Sequence, residues 1–322
     1  MESIKLSKDL LEELAKYKGE GFDTVDDYVE AILTKLVEKK RSKQGVTEVV
    51  KHHSTSSKLK DLEAKSIYII REAFKHLKPC TLLWSIGKDS TTLLWLIRKA
   101  FYGKVPFPVL HLDTTFKFPE MYAFREHWAK EWNLDLKVWT NQDAVAKGVT
   151  YETHDAFTCC HELKTVALQQ AIEQMKMKAL FVGIRRDEHG IRSKERYFSP
   201  RNKEFKWDYK DQPPELWDQF KTASGPEDLL RVPPLLHWTE LDVWEYIKQE
   251  GIPICKLYFA KNGKRYRSLG CMPITKPVPS HADDVDKIVE ELRTTTSAER
   301  AGRSQDKETS DTMQRLRALG YM

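Results

Sequence analysis

The residues best suited to chemistry form one short run, Ser85-Ile86-Gly87-Lys88-Asp89-Ser90. This run separates the apolar segment TLLW from STTLLWLIRKA, which has the pattern of a helix. A turn between a strand and a helix directs backbone N–H groups and the positive end of the helix dipole at an anion. Gly87 permits close approach of a phosphate, Lys88 supplies a positive charge, and the two serines supply hydroxyl groups. The run therefore predicts a phosphate-binding loop, although its spacing is not that of the Walker motif.

Two later segments place polar residues directly after apolar runs. Asp113 follows VLHL and is expected to meet ribose, adenine or a metal. Gly183-Ile184-Arg185-Arg186-Asp187 follows ALFV, and ligands of parallel sheets bind at the carboxyl ends of the strands. Because arginine donates in a fork that matches phosphate or sulfate, Arg185 and Arg186 are predicted to hold a reacting anion.

The elements that must position these residues alternate along the chain. Strands are predicted at 81–84, 108–112, 135–139 and 179–182, and helices at 90–101, 118–132 and 162–175. A further helix is expected to start near Leu59. This alternation predicts an α/β fold, a parallel sheet with helices on both faces.

The chain is expected to divide into three parts. Residues 1–41 have the pattern of a strand and two helices, residues 42–58 are polar and typical of a linker, and residues 59–322 form the main domain. The first part resembles the ribbon-helix-helix fold, in which paired strands enter a DNA groove. Its eight Lys/Arg against ten Asp/Glu suit DNA poorly, and its apolar stripe needs a covering surface. It is predicted either to contact DNA or to serve as a dimerisation or docking module, and a homo-oligomer is expected.

Composition limits the remaining possibilities. The net charge of +5 suits an anionic substrate without requiring nucleic acid. Five cysteines, an odd number at uneven spacing, do not form a disulfide framework. No apolar stretch reaches the ~20 residues that cross a bilayer, and no apolar signal core follows the first residues. A cytoplasmic protein without membrane contact is therefore expected.

The run SIGKDS resembles the PP-loop (S-G-G-x-D-S) of the ATP pyrophosphatases, with Ile86 where the family has glycine. Further segments, in order, are FPVLHLDTTFKFPEMYAFR, KWDYKDQPPELW, WTELDVWEYI and TTSAERAGR. With these, residues 59–322 resemble the small, catalytic subunit of bacterial sulfate adenylyltransferases, in the PAPS reductase-like branch of the adenine nucleotide α-hydrolase-like PP-loop fold.

The resemblance implies that ATP and sulfate react to give adenylyl sulfate and pyrophosphate, with Mg²⁺ on the phosphates and a GTPase large subunit as partner. It implies catalytic roles for Lys88, Arg185, Arg186 and Asp187. The residues that it assigns to ATP and pyrophosphate are Ser85, Ile86, Gly87, Lys88, Asp89, Ser90, Asp113 and Gly183.

The cysteines depart from that pattern. The pair Cys159-Cys160 resembles the iron–sulfur forms of adenylyl sulfate reductase and the ATP pyrophosphatases of DNA phosphorothioation. With Cys255 and Cys271, the pair predicts ligands of a [4Fe–4S] cluster. The alternative is that these cysteines are small buried hydrophobes. No cysteine follows Cys271, which argues against a sulfonucleotide reductase.

Three hypotheses about function therefore stand, in this order. The first is sulfate adenylyltransferase. The second is an ATP pyrophosphatase of DNA phosphorothioation, which would activate a DNA phosphate and work with a sulfur-transfer partner. It rests on the cysteines, the first 41 residues and the short stretch FAKNGKRYRSL, where bacterial subunits usually carry a longer insert. The third is a nucleotide-sensing DNA-binding regulator, which the intact loop makes least favoured.

Overall fold

The computed structural model describes residues 57–188, 192–202, 205, 207, 212, 215, 229–295 and 299. Residues 1–41 and most of the predicted linker lie outside this part of the chain. The predictions of a DNA-binding or dimerising unit, of the domain boundaries and of a homo-oligomer therefore stay predictions.

Helices and strands alternate as the sequence predicts. The helices are α1 Ser57–His76, α2 Lys88–Ala100, α3 Pro119–Glu131, α4 Gln142–Ala146, α5 Ala156–Cys160, α6 Ala167–Met175, α7 Glu240–Glu250 and α8 Val285–Thr294. The strands are β1 Cys80–Leu83, β2 Val109–Leu112, β3 Leu136–Trp139, β4 Ala179–Phe181, β5 Ser199–Arg201, β6 Leu229–Val232, β7 Lys264–Arg265 and β8 Val278–Pro279. Short 3-10 turns span Arg186–Glu188, Arg192–Lys194, Lys256–Tyr258 and Met272–Ile274.

Six strands form the central sheet, in the order β3-β2-β1-β4-β6-β5. All neighbouring pairs are parallel except β5 with β6, at one edge. The strands β7 and β8 form a separate antiparallel pair. The predicted α/β fold with a parallel sheet is confirmed. The carboxyl ends of β1, β2, β4 and β6 consequently lie at one edge, where the polar segments follow them.

Neighbouring residues of each strand point to opposite faces of the sheet, and helices cover both faces. Leu82 and Phe181 join the cluster that includes buried residues of α1, α2 and α7. Leu83 and Leu180 join the cluster on the other face, which α6 covers. Burial of each such side chain contributes ~1.5–3 kcal/mol to the stability of the fold. The sheet that carries the polar segments at its edge is therefore stable.

The helical segment before β4 starts earlier than predicted. It begins with α5 at Ala156, passes through a π-helical turn at His161–Val166, and continues as α6 to Met175. Asp155 caps the start, and its carboxylate accepts from the N–H groups of Phe157 (2.8 Å) and Thr158 (3.0 Å). The predicted helix started at Glu162 because residues before it lack a clear apolar period, although an aspartate cap was a readable signal.

A capping box fixes the start of α7. Thr239 accepts from the Asp242 N–H at 3.2 Å, and Asp242 accepts from the Thr239 N–H at 2.9 Å. The next N–H, that of Glu240, donates to the Asp187 carboxylate at 2.8 Å. This bond ties the segment after β4 to α7.

Across the described residues, every helix is too short or too polar to serve as a membrane span.

The turn between β1 and α2 contains an unusual backbone conformation at Ile86. Its φ is 66°, in the left-handed region, and its side chain is 1% exposed. A β-branched residue is rarely found there because its side chain crowds the backbone. Packing of the isoleucine in the main core cluster therefore holds the loop in a conformation that glycine would adopt without strain.

This conformation predicts a reversed order of two substitutions. Ile86→Gly is expected to cost about 1 kcal/mol less unfolding free energy than Ile86→Ala, because alanine keeps the left-handed penalty. Ile70, fully buried within α1, is the matched control, and there glycine is expected to cost about 1 kcal/mol more than alanine. Denaturant unfolding of the four variants measures both differences, and the same order at both sites would contradict the strain.

Candidate active site

The loop Ser85–Gly87 ends at the first turn of α2, which has no side-chain cap. The N–H of Lys88 donates to the Tyr258 hydroxyl at 2.8 Å. The N–H groups of Asp89 and Ser90 have no acceptor within the helix, as in the first turn of any helix. The Ser85 and Ser90 hydroxyl oxygens lie 3.0 Å apart. Amide and hydroxyl donors therefore converge beside the positive end of the helix dipole.

Gly183 brings the end of β4 against this helix turn. A Cβ atom there would lie 2.7 Å from the Ser90 nitrogen and 2.9 Å from the Asp89 carbonyl carbon. Both contacts are with backbone, which cannot move aside. The predicted binding residue Gly183 therefore has a packing role, since only glycine lets β4 reach the loop.

Two buried cations at this junction share three carboxylates, and we call these five residues the ion-pair network. Lys88 lies 3.1 Å from Asp89 and also contacts Glu299. Arg185 contacts Asp89 and Glu299, and its Nε donates to Asp187 at 2.9 Å. Lys88 is 1% exposed and Arg185 is fully buried. The predicted residues Lys88, Asp89, Arg185 and Asp187 thus lie together.

Interactions within the network favour the charged forms of Glu299 and Arg185. Burial alone would raise the pKa of Glu299, but Arg185 and Lys88 outweigh it and lower that pKa. Burial alone would lower the pKa of Arg185, but the carboxylates of Glu299, Glu188 and Asp187 outweigh it and raise that pKa. Both groups are therefore charged at neutral pH.

Glu299 is the residue that the sequence reasoning missed. It lies within the quoted segment TTSAERAGR, which carried no assigned role. Its carboxylate contacts both Lys88, at the end of the loop, and Arg185, in the segment after β4. The sequence shows Glu299 only as a glutamate in a segment shared with a family. It does not indicate which residues that glutamate contacts.

A cleft opens beside the network. The predicted residues that line it are Ser85, Gly87, Asp89, Ser90 and Gly183, and Glu299 also lines it. The other polar residues of its wall are Glu188, Arg192, Arg231, Tyr258 and Ser268. Burial raises the pKa of Tyr258 to about 12, so its hydroxyl is protonated.

The two arginines predicted for the reacting anion do not line this cleft. Arg185 is enclosed by carboxylates, as described above. The Arg186 side chain is 39% exposed, lies 3.9 Å from Glu215 and stacks over the Tyr197 ring. The arginines in the cleft wall are Arg192 and Arg231, and the sequence reasoning assigned no separate role to either.

Asp113 lies just beyond β2 and is held by its neighbours. Its carboxylate accepts from the Tyr122 hydroxyl at 2.9 Å and from the Thr115 N–H at 2.8 Å, and Arg125 lies 3.5 Å away. Burial would raise its pKa, but these hydrogen bonds outweigh it and lower the pKa. The residue is not part of the cleft wall, so its predicted contact with the nucleotide stays a prediction.

Three of the four candidate cluster ligands surround a second pocket, which we call the thiol pocket. Cys159, Cys160 and Cys271 line it together with Lys164. Burial raises the pKa of Cys159 to about 11, with the other two thiols adding to the shift. Cys255 instead packs in the main core cluster. Within the described ranges, no three His, Cys, Asp or Glu side chains are grouped so that they could hold a metal ion.

Comparisons with known proteins agree with this geometry. The family model "Phosphoadenosine phosphosulfate reductase domain" matches residues 79–277. Sulfate adenylyltransferase subunit 2 of Shewanella frigidimarina is 43% identical over 295 residues, spanning 82% of this chain and 98% of the relative. The same subunit of Bacteroides fragilis is 42% identical over 295 residues, spanning 82% and 97%.

A solved structure shows the same fold at lower identity. FMN adenylyltransferase of Candida glabrata in complex with ATP superposes with a TM-score of 0.52 at 19% identity, covering 79% of this chain and 91% of that protein. The family resemblance read from the sequence is thus confirmed. The chain belongs to the phosphoadenosine phosphosulfate reductase domain family and, within it, to the family of sulfate adenylyltransferase subunit 2 proteins.

Proposed function

We propose that the protein transfers the adenylyl group of ATP to sulfate and releases pyrophosphate. The observation that carries this proposal is the first turn of α2, whose N-cap residue Gly87 has no capping side chain, with Lys88 and Arg185 buried there, in a chain 43% identical to a sulfate adenylyltransferase subunit 2. The turn supplies an anion-binding end, and the relatives supply the reaction.

In the proposed reaction, a sulfate oxygen attacks the α-phosphorus of ATP. The bond from that phosphorus to the bridging oxygen of the β-phosphate breaks, and pyrophosphate leaves with its Mg²⁺, which enters as part of the substrate. The helix N–H groups, the hydroxyls of Ser85 and Ser90, and the Lys88 ammonium would stabilise the charge that moves onto pyrophosphate. No covalent nucleophile is required, so positioning and charge neutralisation account for the rate.

Glu299 sets a condition for ATP binding. Lys88 and Arg185 already carry a carboxylate, so a phosphate that reaches them must share or replace that contact. The three carboxylates of the network exceed its two cations by one charge. A phosphate therefore binds these cations favourably only if Glu299 moves away from them.

A larger partner subunit belongs to the proposed function, whereas an iron–sulfur cluster and the activation of DNA do not. The relatives are named "subunit 2", which supports a larger partner subunit, and the resemblance makes that partner a GTPase. It includes no iron–sulfur cluster, because the described thiols form no group that could hold a metal. Activation of a DNA phosphate gains no support from the comparisons, and the unit proposed to contact DNA lies outside the described residues.

Lys88→Ala is expected to reduce sulfate-dependent pyrophosphate release by about 10²–10³-fold, because a preorganised positive charge is lost. Pyrophosphate would be measured with Mg-ATP, with and without sulfate, for the chain alone and with its larger subunit and GTP. Lys104→Ala, at an exposed position, is the control and should match the wild type. Release that ignores sulfate, or that survives in Lys88→Ala, would contradict the proposed function.

Glu299→Gln is expected to lower the unfolding free energy of the ATP-free protein by about 1–3 kcal/mol, because hydrogen bonds between charged groups are lost in a buried site. With saturating Mg-ATP the loss should shrink, because phosphate takes the place of the carboxylate. Glu291→Gln removes a contact to the buried Arg265 away from the cleft and should cost the same with and without ATP.

The pH dependence of the same contact has a definite sign. The pKa of Glu299 in the folded protein lies below its unfolded value of about 4.3, so its stabilisation is complete above that value. It is lost as the pH falls through the folded pKa. The unfolding free energies of the wild type and of Glu299→Gln should therefore become equal in acid. Equal destabilisation with and without Mg-ATP at neutral pH would show that phosphate does not replace the carboxylate.

A further inference from the structure

Arg231 occupies an unusual place for a charged residue. It lies in β6, an inner strand of the sheet, between β4 and β5, and is 7% exposed. Its strand neighbours Leu230 and Val232 are buried in the core. Burying a guanidinium in such a strand is costly unless something compensates its charge.

The described residues provide little compensation. The Arg231 Nε atom is buried and has no hydrogen-bond acceptor there. The carboxylate of Glu195 accepts from Arg201 at 3.0 and 3.4 Å, and that of Glu188 is engaged by Arg192. Among these five groups, three arginines thus face two glutamates, which leaves one uncompensated positive charge.

The surroundings of Arg231 also lower its pKa. Burial, Arg201 and Arg192 lower the pKa of Arg231 to about 9, and Glu195 opposes them only in part. A bound anion would stabilise a positive charge that these surroundings disfavour.

The position of Arg231 separates it from the pyrophosphate end of the cleft. It lines the same cleft as Ser90 and Gly183, but β6 lies two strands from β1. Neighbouring strands are ~4.8 Å apart, so β6 lies ~10 Å across the sheet from the strand that carries the loop. The cleft therefore has an anion-binding helix N-terminus at the loop and, on its far side, the side chains of Arg231 and Arg192.

We propose that Arg231, with Arg192 beside it, forms the subsite for the tetrahedral oxyanion that accepts the adenylyl group, namely sulfate. This inference rests on the proposed function and adds the residue that binds the second substrate. A forked guanidinium donates two parallel hydrogen bonds to such an anion, which lysine cannot do. The assignment replaces Arg185, which three carboxylates already occupy, as the main contact of sulfate.

The test compares two buried arginines with the same substitution. Arg231→Lys keeps the charge but loses the fork, and Arg201→Lys is the matched control because Arg201 does not line the cleft. Sodium sulfate would be titrated into each ATP-free protein by calorimetry, against sodium chloride of equal ionic strength. Arg231→Lys is expected to weaken sulfate binding by about 10–100-fold, with binding of Mg-ATP within about twofold of wild type. Arg201→Lys should bind sulfate as the wild type does.

A second variant keeps the test decisive if folding is in question. Arg231→Met removes the uncompensated charge, so its unfolding midpoint in sulfate-free buffer should equal or exceed that of the wild type, while sulfate should no longer raise it. A lower midpoint combined with an unchanged sulfate response would mean that Arg231 is structural, and would overturn the proposal.

The outcomes separate this inference from the proposed function. If sulfate stimulates pyrophosphate release equally in wild type and Arg231→Lys, with an unchanged KM for sulfate, the subsite is wrong and the function stands. If sulfate binds in an Arg231-dependent way but stimulates no pyrophosphate release in the complex with the larger subunit, the subsite stands and the function is wrong. If the wild type binds no sulfate at all, the subsite is wrong.

Discussion

The ion-pair network at the end of β1 and β4 is the constraint on which the rest of the site depends. Lys88 and Arg185 are almost completely removed from water, and two buried cations without partners would cost many kcal/mol. Asp89, Asp187 and Glu299 stabilise them. Asp187 is itself tied to the first turn of α7, so the network joins the loop, the end of β4 and a helix on one face of the sheet.

This arrangement supplies the loop with an anion from within the chain. The loop presents donors that need an anion, and Glu299 supplies one from elsewhere in the chain. A phosphate that replaces this carboxylate would again pair Lys88 and Arg185 with an anion. At the other side of the cleft, Arg231 has no comparable carboxylate of its own among the described residues, so that region retains its affinity for a second anion.

The alternating strands and helices up to β4 could be predicted because their signals are local. Apolar runs such as TLLW and ALFV mark the strands, and the polar residues after them mark the ligand edge. The network partner Glu299 was not predictable, because it is 211 positions from Lys88 and only the folded chain brings them together. Arg185 was assigned to an anion from its place after a strand, but spacing does not show that carboxylates already surround it. Arg231 left a readable signal, an arginine inside the apolar run LLRV.

The cysteines show the same limit. Three of them line one pocket, as their proposed common role requires, but Cys255 lies in the main core cluster. A sequence motif shows which thiols are present and in what order. Whether they meet at one site depends on which strand end or turn each cysteine occupies. The turn at Met272–Ile274 places Cys271 beside Thr114, with 3.1 Å between Sγ and Oγ1, and no motif predicts that contact.

The most direct test of the account follows the oxygen atoms of the acceptor. The protein with its larger subunit would be supplied with Mg-ATP and fully ¹⁸O-labelled sulfate, and the nucleotide products analysed by mass spectrometry. The account predicts adenylyl sulfate that retains every labelled oxygen, including the one that bridges sulfur and phosphorus, with pyrophosphate formed in equal amount. Unlabelled AMP as the nucleotide product, or ADP and phosphate, would contradict it, because water or a different bond of ATP would then be involved.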